Sequence, residues 1–133
     1  MIRLGHTNIR VADLERSVKF YEDAFGLKAV KRISKWDYSM VWMCDEKQLE
    51  EEIPFFLELR CDMKHEGAYD LGENSTHIAF VADDIPVLHL LHSNMGIIYE
   101  EYDNGIYFVH DPDGYCVEVM PRAFVTSALR SDA

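Results

Sequence analysis

The sequence has no apolar run approaching the roughly 20 residues that a membrane-spanning helix needs, which sets aside a membrane-embedded class. Its first residues, Met1-Ile2-Arg3-Leu4-Gly5, carry neither the apolar core nor the small-residue cleavage site of a secretion leader. They run straight into a strand-like pattern, and a cytoplasmic location is the expectation. Cysteine is scarce. Cys44, Cys61 and Cys116 are odd in number and scattered, which excludes a disulfide framework or a zinc knuckle. Each lies in or beside an apolar run and reads as a buried free thiol. Positive charge is also in short supply: 13 Lys and Arg stand against 24 Asp and Glu, for a formal net charge of −11. No Lys/Arg cluster offers the basic face that nucleic acid requires.

What is present is enough for one folded domain. The chain has 133 residues, 48% of them hydrophobic, which fits a compact domain over 1–133 and argues against disorder. Much of the negative charge lies in Asp45-Glu46-Lys47-Gln48-Leu49-Glu50-Glu51-Glu52, which reads as a solvated loop or helical turn.

The main organising feature is a duplication. The first unit opens with a strand over Ile2–Val11. Asp13 can cap the following helix, Leu14–Phe25, where Leu14, Val18, Tyr21 and Phe25 form one apolar stripe. Gly26 suits the left-handed end of that helix. Strands are predicted at Leu27–Ile33, Tyr38–Cys44 and Phe55–Cys61. The second unit repeats the order: a strand at Thr76–Ala82, the cap candidate Asp84, and a helix over Ile85–Met95 with Pro86 in its first turn. Val87, Leu88, Leu90, Leu91 and Met95 are its apolar residues. Gly96 ends it, and strands follow at Ile97–Tyr102, Ile106–His110 and Tyr115–Met120. Asp111-Pro112-Asp113-Gly114 marks a turn before the last strand. The expected plan is α+β, with two βαβββ modules at about 1–61 and 76–122. A polar linker over 62–75 joins them, and a tail over 123–133 includes a short helix at Phe124–Leu129.

The two copies agree in chemistry as well as order. His6 precedes Asp13-Leu14 by the same spacing as His77 precedes Asp84-Ile85, and Leu57-Glu58-Leu59 parallels Val117-Glu118-Val119. Side chains alternate between the two faces of a strand. With Leu57, Leu59, Val117 and Val119 turned to the helices, Glu58 and Glu118 take the opposite face. There they share it with His6, Asn8 and Arg10 in one module and with His77, Ala79 and Val81 in the other. If the two sheets curl together, two imidazoles and two carboxylates converge. A divalent ion satisfies such a set, because borderline metals accept His nitrogen and carboxylate oxygen together. Without an ion, two half-buried glutamates would repel or be forced to protonate. His6, Glu58, His77 and Glu118 are the candidate ligands. His65, His89, His92 and His110 have no mirrored partner and read as surface or structural residues.

With these residues in place, the chain resembles the glyoxalase I / vicinal-oxygen-chelate superfamily, and within it the short bacterial lactoylglutathione lyases. The resemblance spans about residues 1–122. It rests on His6-Thr7-Asn8-Ile9-Arg10-Val11, Asp13-Leu14, Phe20-Tyr21, Leu57-Glu58-Leu59, Thr76-His77-Ile78-Ala79 and Asp111-Pro112-Asp113-Gly114-Tyr115 ahead of Val117-Glu118. It implies a cupped mixed sheet and a homodimer whose active sites lie at the interface. His6 and Glu58 of one chain would there meet His77 and Glu118 of the other around Ni²⁺, Co²⁺ or Zn²⁺. It also implies isomerisation of the hemithioacetal of methylglyoxal and glutathione, by proton transfer through a metal-bound enediolate. Glu118 is the first candidate for the base and Glu58 the second. Arg10 matches the position that pairs with a glutathione carboxylate, and its fork suits that role.

Two departures bear on the small-molecule thiol conjugate. Asp62 stands where family members usually carry an Asn that contacts glutathione. Glu100–Gly105 is also shorter than the Lys- and Gly-rich loop usual before the Asp-Pro-Asp-Gly turn. Other readings on the same scaffold are a methylmalonyl-CoA epimerase-like or fosfomycin-modifying metalloenzyme, and a metal-free binding protein of the bleomycin-resistance type.

Overall fold

A computed structural model describes residues 1–74 and 76–131. Ser75 of the expected linker 62–75, and Asp132 and Ala133 of the expected tail, lie outside the described residues. The chain divides into two units, Met1–Asp70 and Leu71–Ala133.

The first unit runs β1 (His6–Arg10), α1 (Leu14–Phe25), β2 (Lys28–Ser34), β3 (Tyr38–Cys44) and β4 (Phe56–Asp62). Its sheet has the order β1-β4-β3-β2, with β1 and β4 parallel and the other pairs antiparallel. The Asp13 carboxylate accepts from the Arg16 backbone N–H at 3.1 Å and so starts α1 where the sequence places it. Gly26 ends the helix at φ 66°, a left-handed conformation that costs an L side chain about 1–2 kcal/mol. The buried side of α1 presents Ser17, Val18, Phe20, Tyr21 and Ala24 and packs on β3 and β4. Val41, Met43, Leu57 and Leu59 are buried from those strands. Full burial of one such side chain contributes about 1.5–3 kcal/mol. Phe56, Glu58 and Arg60 alternate with them and stay partly exposed on the other face.

β1 is shorter than expected. It begins at His6 rather than Ile2 because its partner β4 begins at Phe56, directly opposite, so Ile2–Leu4 have no strand to pair with and are exposed. The acidic stretch before β4 holds a single 3-10 turn at Gln48–Glu50, with no buried residue.

The second unit repeats the plan: β5 (His77–Ala82), α2 (Ile85–Met95), β6 (Ile98–Glu101), β7 (Tyr107–His110) and β8 (Cys116–Pro121). The sheet order β5-β8-β7-β6 is that of the first unit, with the same single parallel pair. Asp84 caps α2 through the Val87 N–H at 3.2 Å, and the left-handed Gly96 closes it. The Asp111 carboxylate accepts from the N–H groups of both Asp113 and Tyr115 at 2.9 Å, which sets the turn into β8. A last helix, α3 (Arg122–Arg130), is longer than the expected Phe124–Leu129 and packs on β8 and β5.

Val87 and Leu90 of α2 are 66% and 61% exposed, whereas His92 is fully buried. The His92 ring is retained in the interior by Tyr107, whose hydroxyl lies 2.8 Å from Nδ1. Of the three thiols expected to be buried only Cys44 is; Cys116 is half-buried on the strand face it shares with Glu118, and Cys61 is half-buried near the end of β4, on the face of Leu57 and Leu59, with Sγ 3.7 Å from the Ala12 carbonyl oxygen.

Candidate metal centre

In the first unit, His6 opens β1 and Glu58 lies at the middle of β4. The parallel register sets Asn8 opposite Glu58 and His6 opposite Phe56. Leu57 and Leu59 are anchored under α1, so Glu58 must project from the opposite face, where His6 also lies. Their groups stand 3.8 Å apart, His6 Nε2 to Glu58 Oε1, with the carboxylate 13% exposed and the imidazole 45%.

The second unit builds the same pair. His77 opens β5, and Glu118 lies opposite Ala79 in β8. His77 Nε2 is 3.3 Å from Glu118 Oε1, at exposures of 40% and 15%. Both pairs therefore present an accessible imidazole nitrogen beside a mostly buried carboxylate.

The surroundings of the two carboxylates differ. Asn8 Nδ2 donates to Glu58 Oε1 at 2.7 Å, and Trp42 Nε1 donates to Glu58 Oε2 at 2.9 Å. Trp42 sits opposite Glu58 on β3. Its ring stacks on Phe56 at 4.3 Å, and Phe56 stacks in turn on His6 at 4.9 Å. At the matching positions around Glu118 are Ala79 and Phe108, neither of which carries a side-chain donor. Phe108 meets His77 edge-on, with ring centroids 5.4 Å apart.

The donor set fits a borderline divalent ion, which takes imidazole nitrogen and carboxylate oxygen together. Each Glu58 oxygen has two acceptor sites, so one hydrogen bond apiece leaves room for coordination. Among the described residues, no three His, Cys, Asp or Glu side chains gather as one cluster. Each unit supplies two groups.

The other two sequence candidates meet each other. Arg10 Nε donates to Asp62 Oδ2 at 3.1 Å, and Arg60 Nε donates to Asp62 Oδ1 at 2.7 Å. Tyr69 approaches the same carboxylate at 3.4 Å. The hydrogen bond from Arg60, reinforced by the charges of Arg60 and Arg10, holds the Asp62 carboxyl below its ordinary value. Arg60 also lies over the Tyr38 ring, 4.0 Å from its centroid. Arg10 Nη1 donates to the Asn8 side-chain oxygen, which joins this cluster to the carboxylate of Glu58.

The sequence placed Asn8 on the face of His6 but gave it no role, and it passed over Trp42. The signal was present in the alternation of β3, which puts Tyr38, Met40 and Trp42 on one face. Its meaning depends on cross-strand register.

A family model described as the Glyoxalase/Bleomycin resistance protein/Dioxygenase superfamily matches residues 3–119. The chain is 31% identical to a lactoylglutathione lyase of Salmonella typhimurium over 128 residues, 90% of this chain and 92% of that protein. It is 28% identical to the lactoylglutathione lyase of Haemophilus influenzae, covering 96% and 98% of the two chains. Among solved structures, the trypanothione-dependent glyoxalase I of Leishmania major matches with a TM-score of 0.87 and 29% identity, over 99% of this chain and 95% of that one.

Proposed function

We propose, from the premise that this chain belongs to the Glyoxalase/Bleomycin resistance protein/Dioxygenase superfamily, that it is a metal-dependent enzyme of the lactoylglutathione lyase type. Its reaction isomerises the hemithioacetal of methylglyoxal and a thiol to the thioester. The observation that carries the reading is the mirrored His–Glu pair, His6 with Glu58 and His77 with Glu118, at the same register position in each module. The relatives named lactoylglutathione lyase, which span nearly the whole chain, support it.

A bound divalent ion (Ni²⁺, Co²⁺ or Zn²⁺) supplies Lewis acidity to the two adjacent substrate oxygens as negative charge develops on them. The four side chains hold it. In this reading they do so across a homodimer, with His6 and Glu58 of one chain facing His77 and Glu118 of its partner. Glu118 acts as the base. Its carboxylate takes the proton from the carbon bearing sulfur and hydroxyl and returns it to the neighbouring carbon, while the hydroxyl proton passes between the two oxygens. No atom is gained or lost. Such positioned proton transfer contributes about 10²–10⁴ in rate. Arg10 faces the thiol conjugate, and Asp62 tempers its charge.

The test follows thioester formation from methylglyoxal and glutathione by metal-free protein reloaded with Ni²⁺, Co²⁺ or Zn²⁺. Turnover with at least one ion is expected. The trypanothione-dependent relative makes trypanothione the second thiol to assay. No turnover with either thiol and any of the three ions contradicts the reading.

A further inference from the structure

We infer that Asn8 and Trp42 are positioning residues that clamp Glu58 as the fixed carboxylate of the metal centre and leave Glu118 as the carboxylate that moves. The inference rests on the metalloenzyme reading above and divides labour between two ligands that the duplication makes look equal.

The clamp is built from both sides. Asn8 reaches Glu58 Oε1 at 2.7 Å from β1, and Trp42 reaches Oε2 at 2.9 Å from β3, so the two strands flanking β4 each lend one donor. Neither donor is free to turn away. The Asn8 oxygen accepts from Arg10, and this sets the amide orientation: a flip would bring the oxygen against the Glu58 carboxylate and the NH₂ against a guanidinium. The Trp42 indole is held in the stack with Phe56. Rotation of the Glu58 side chain away from its place breaks two charge-assisted hydrogen bonds at once.

The second module lacks both devices. Ala79 stands at the position of Asn8, and Phe108 at the position of Trp42. The Glu118 carboxylate is as sheltered as that of Glu58, yet the side chains directly across from it offer no hydrogen bond. A carboxylate that must leave a metal to collect a proton and return cannot be pinned at both oxygens. One that only orients the ion gains from pinning, since a ligand's outer partners typically account for about 10- to 100-fold in metal affinity.

The test compares calorimetric Ni²⁺ binding with kcat at saturating Ni²⁺ in full-length protein. Asn8→Leu with Trp42→Phe should weaken Ni²⁺ binding about 10- to 100-fold, with a smaller fall in kcat, whereas Asn8→Gln, which keeps an amide donor, should recover part of the affinity. The reciprocal pair, Ala79→Asn with Phe108→Trp, installs the clamp on Glu118 and should lower kcat at least about tenfold without weakening Ni²⁺ binding. This arm lies in the other module and stays informative if the first pair fails to fold. Wild-type protein that binds Ni²⁺ no more tightly than the Asn8/Trp42 variant, or a reciprocal variant with undiminished kcat, overturns the inference and leaves the metalloenzyme reading standing. Wild-type protein that binds none of Ni²⁺, Co²⁺ and Zn²⁺ overturns both.

Discussion

Arg10 and Asp62 are ion-paired across β1 and β4, the guanidinium Nε 3.1 Å from the carboxylate. The family resemblance places both toward the substrate. The pairing means that an anionic thiol conjugate meets an Arg10 whose charge is already partly balanced. Asp62→Asn is therefore expected to lower KM for the glutathione hemithioacetal by up to about fivefold, the equivalent of the ~1 kcal/mol that a part-exposed pair is worth. Steady-state kinetics at low ionic strength check this, and a raised KM contradicts it.

The same carboxyl makes a prediction about acid stability. Its folded value is held below the ordinary 3.8, chiefly by the hydrogen bond from Arg60. A depressed carboxyl value stabilises the fold fully above the ordinary value, and that contribution fades as pH falls through the depressed one. Urea midpoints of the wild type should thus decline below about pH 4 more steeply than those of Asp62→Asn. Parallel acid limbs contradict the assignment.

In the second module the buried pair of His92 and Tyr107 is a stability element. Tyr107→Phe deprives the fully buried His92 ring of a hydroxyl at 2.8 Å. The expected cost is about 1–3 kcal/mol, the penalty for disrupting a buried hydrogen bond from one side. A urea-unfolding midpoint unchanged from wild type contradicts it.

Glu118→Gln keeps the shape of the side chain and removes its basicity. At saturating metal, kcat should fall by about 10²–10⁴. Near-normal turnover moves the base to another residue.

Much of the fold was legible because its signals are local. Asp13 with Gly26, and Asp84 with Gly96, bracket α1 and α2 at the residues where the helices begin and end. Alternation in Phe56–Asp62 and Cys116–Pro121 put the valines and leucines under cover and both glutamates on the opposite face. What depends on distant partners was not legible. Periodicity marks Val87 and Leu90 as one apolar set but does not say what covers them, and they are exposed. His92 of α2 is interior, and the Tyr107 hydroxyl that answers it comes from β7, 15 residues further along the chain. The clamp on Glu58 joins residues 16 and 50 positions away, and only the register of three strands brings them together.

In the proposed centre, two His–Glu pairs from two chains share one ion. Subunit mixing tests it most directly. His6→Ala and His77→Ala homodimers should each be inactive. Their heterodimer has one site with both lesions and one with none, so dissociation and reassociation of an equal mixture should restore about a quarter of wild-type activity, as two-fold symmetry requires. A mixture that stays inactive while wild-type protein treated the same way recovers contradicts the shared site.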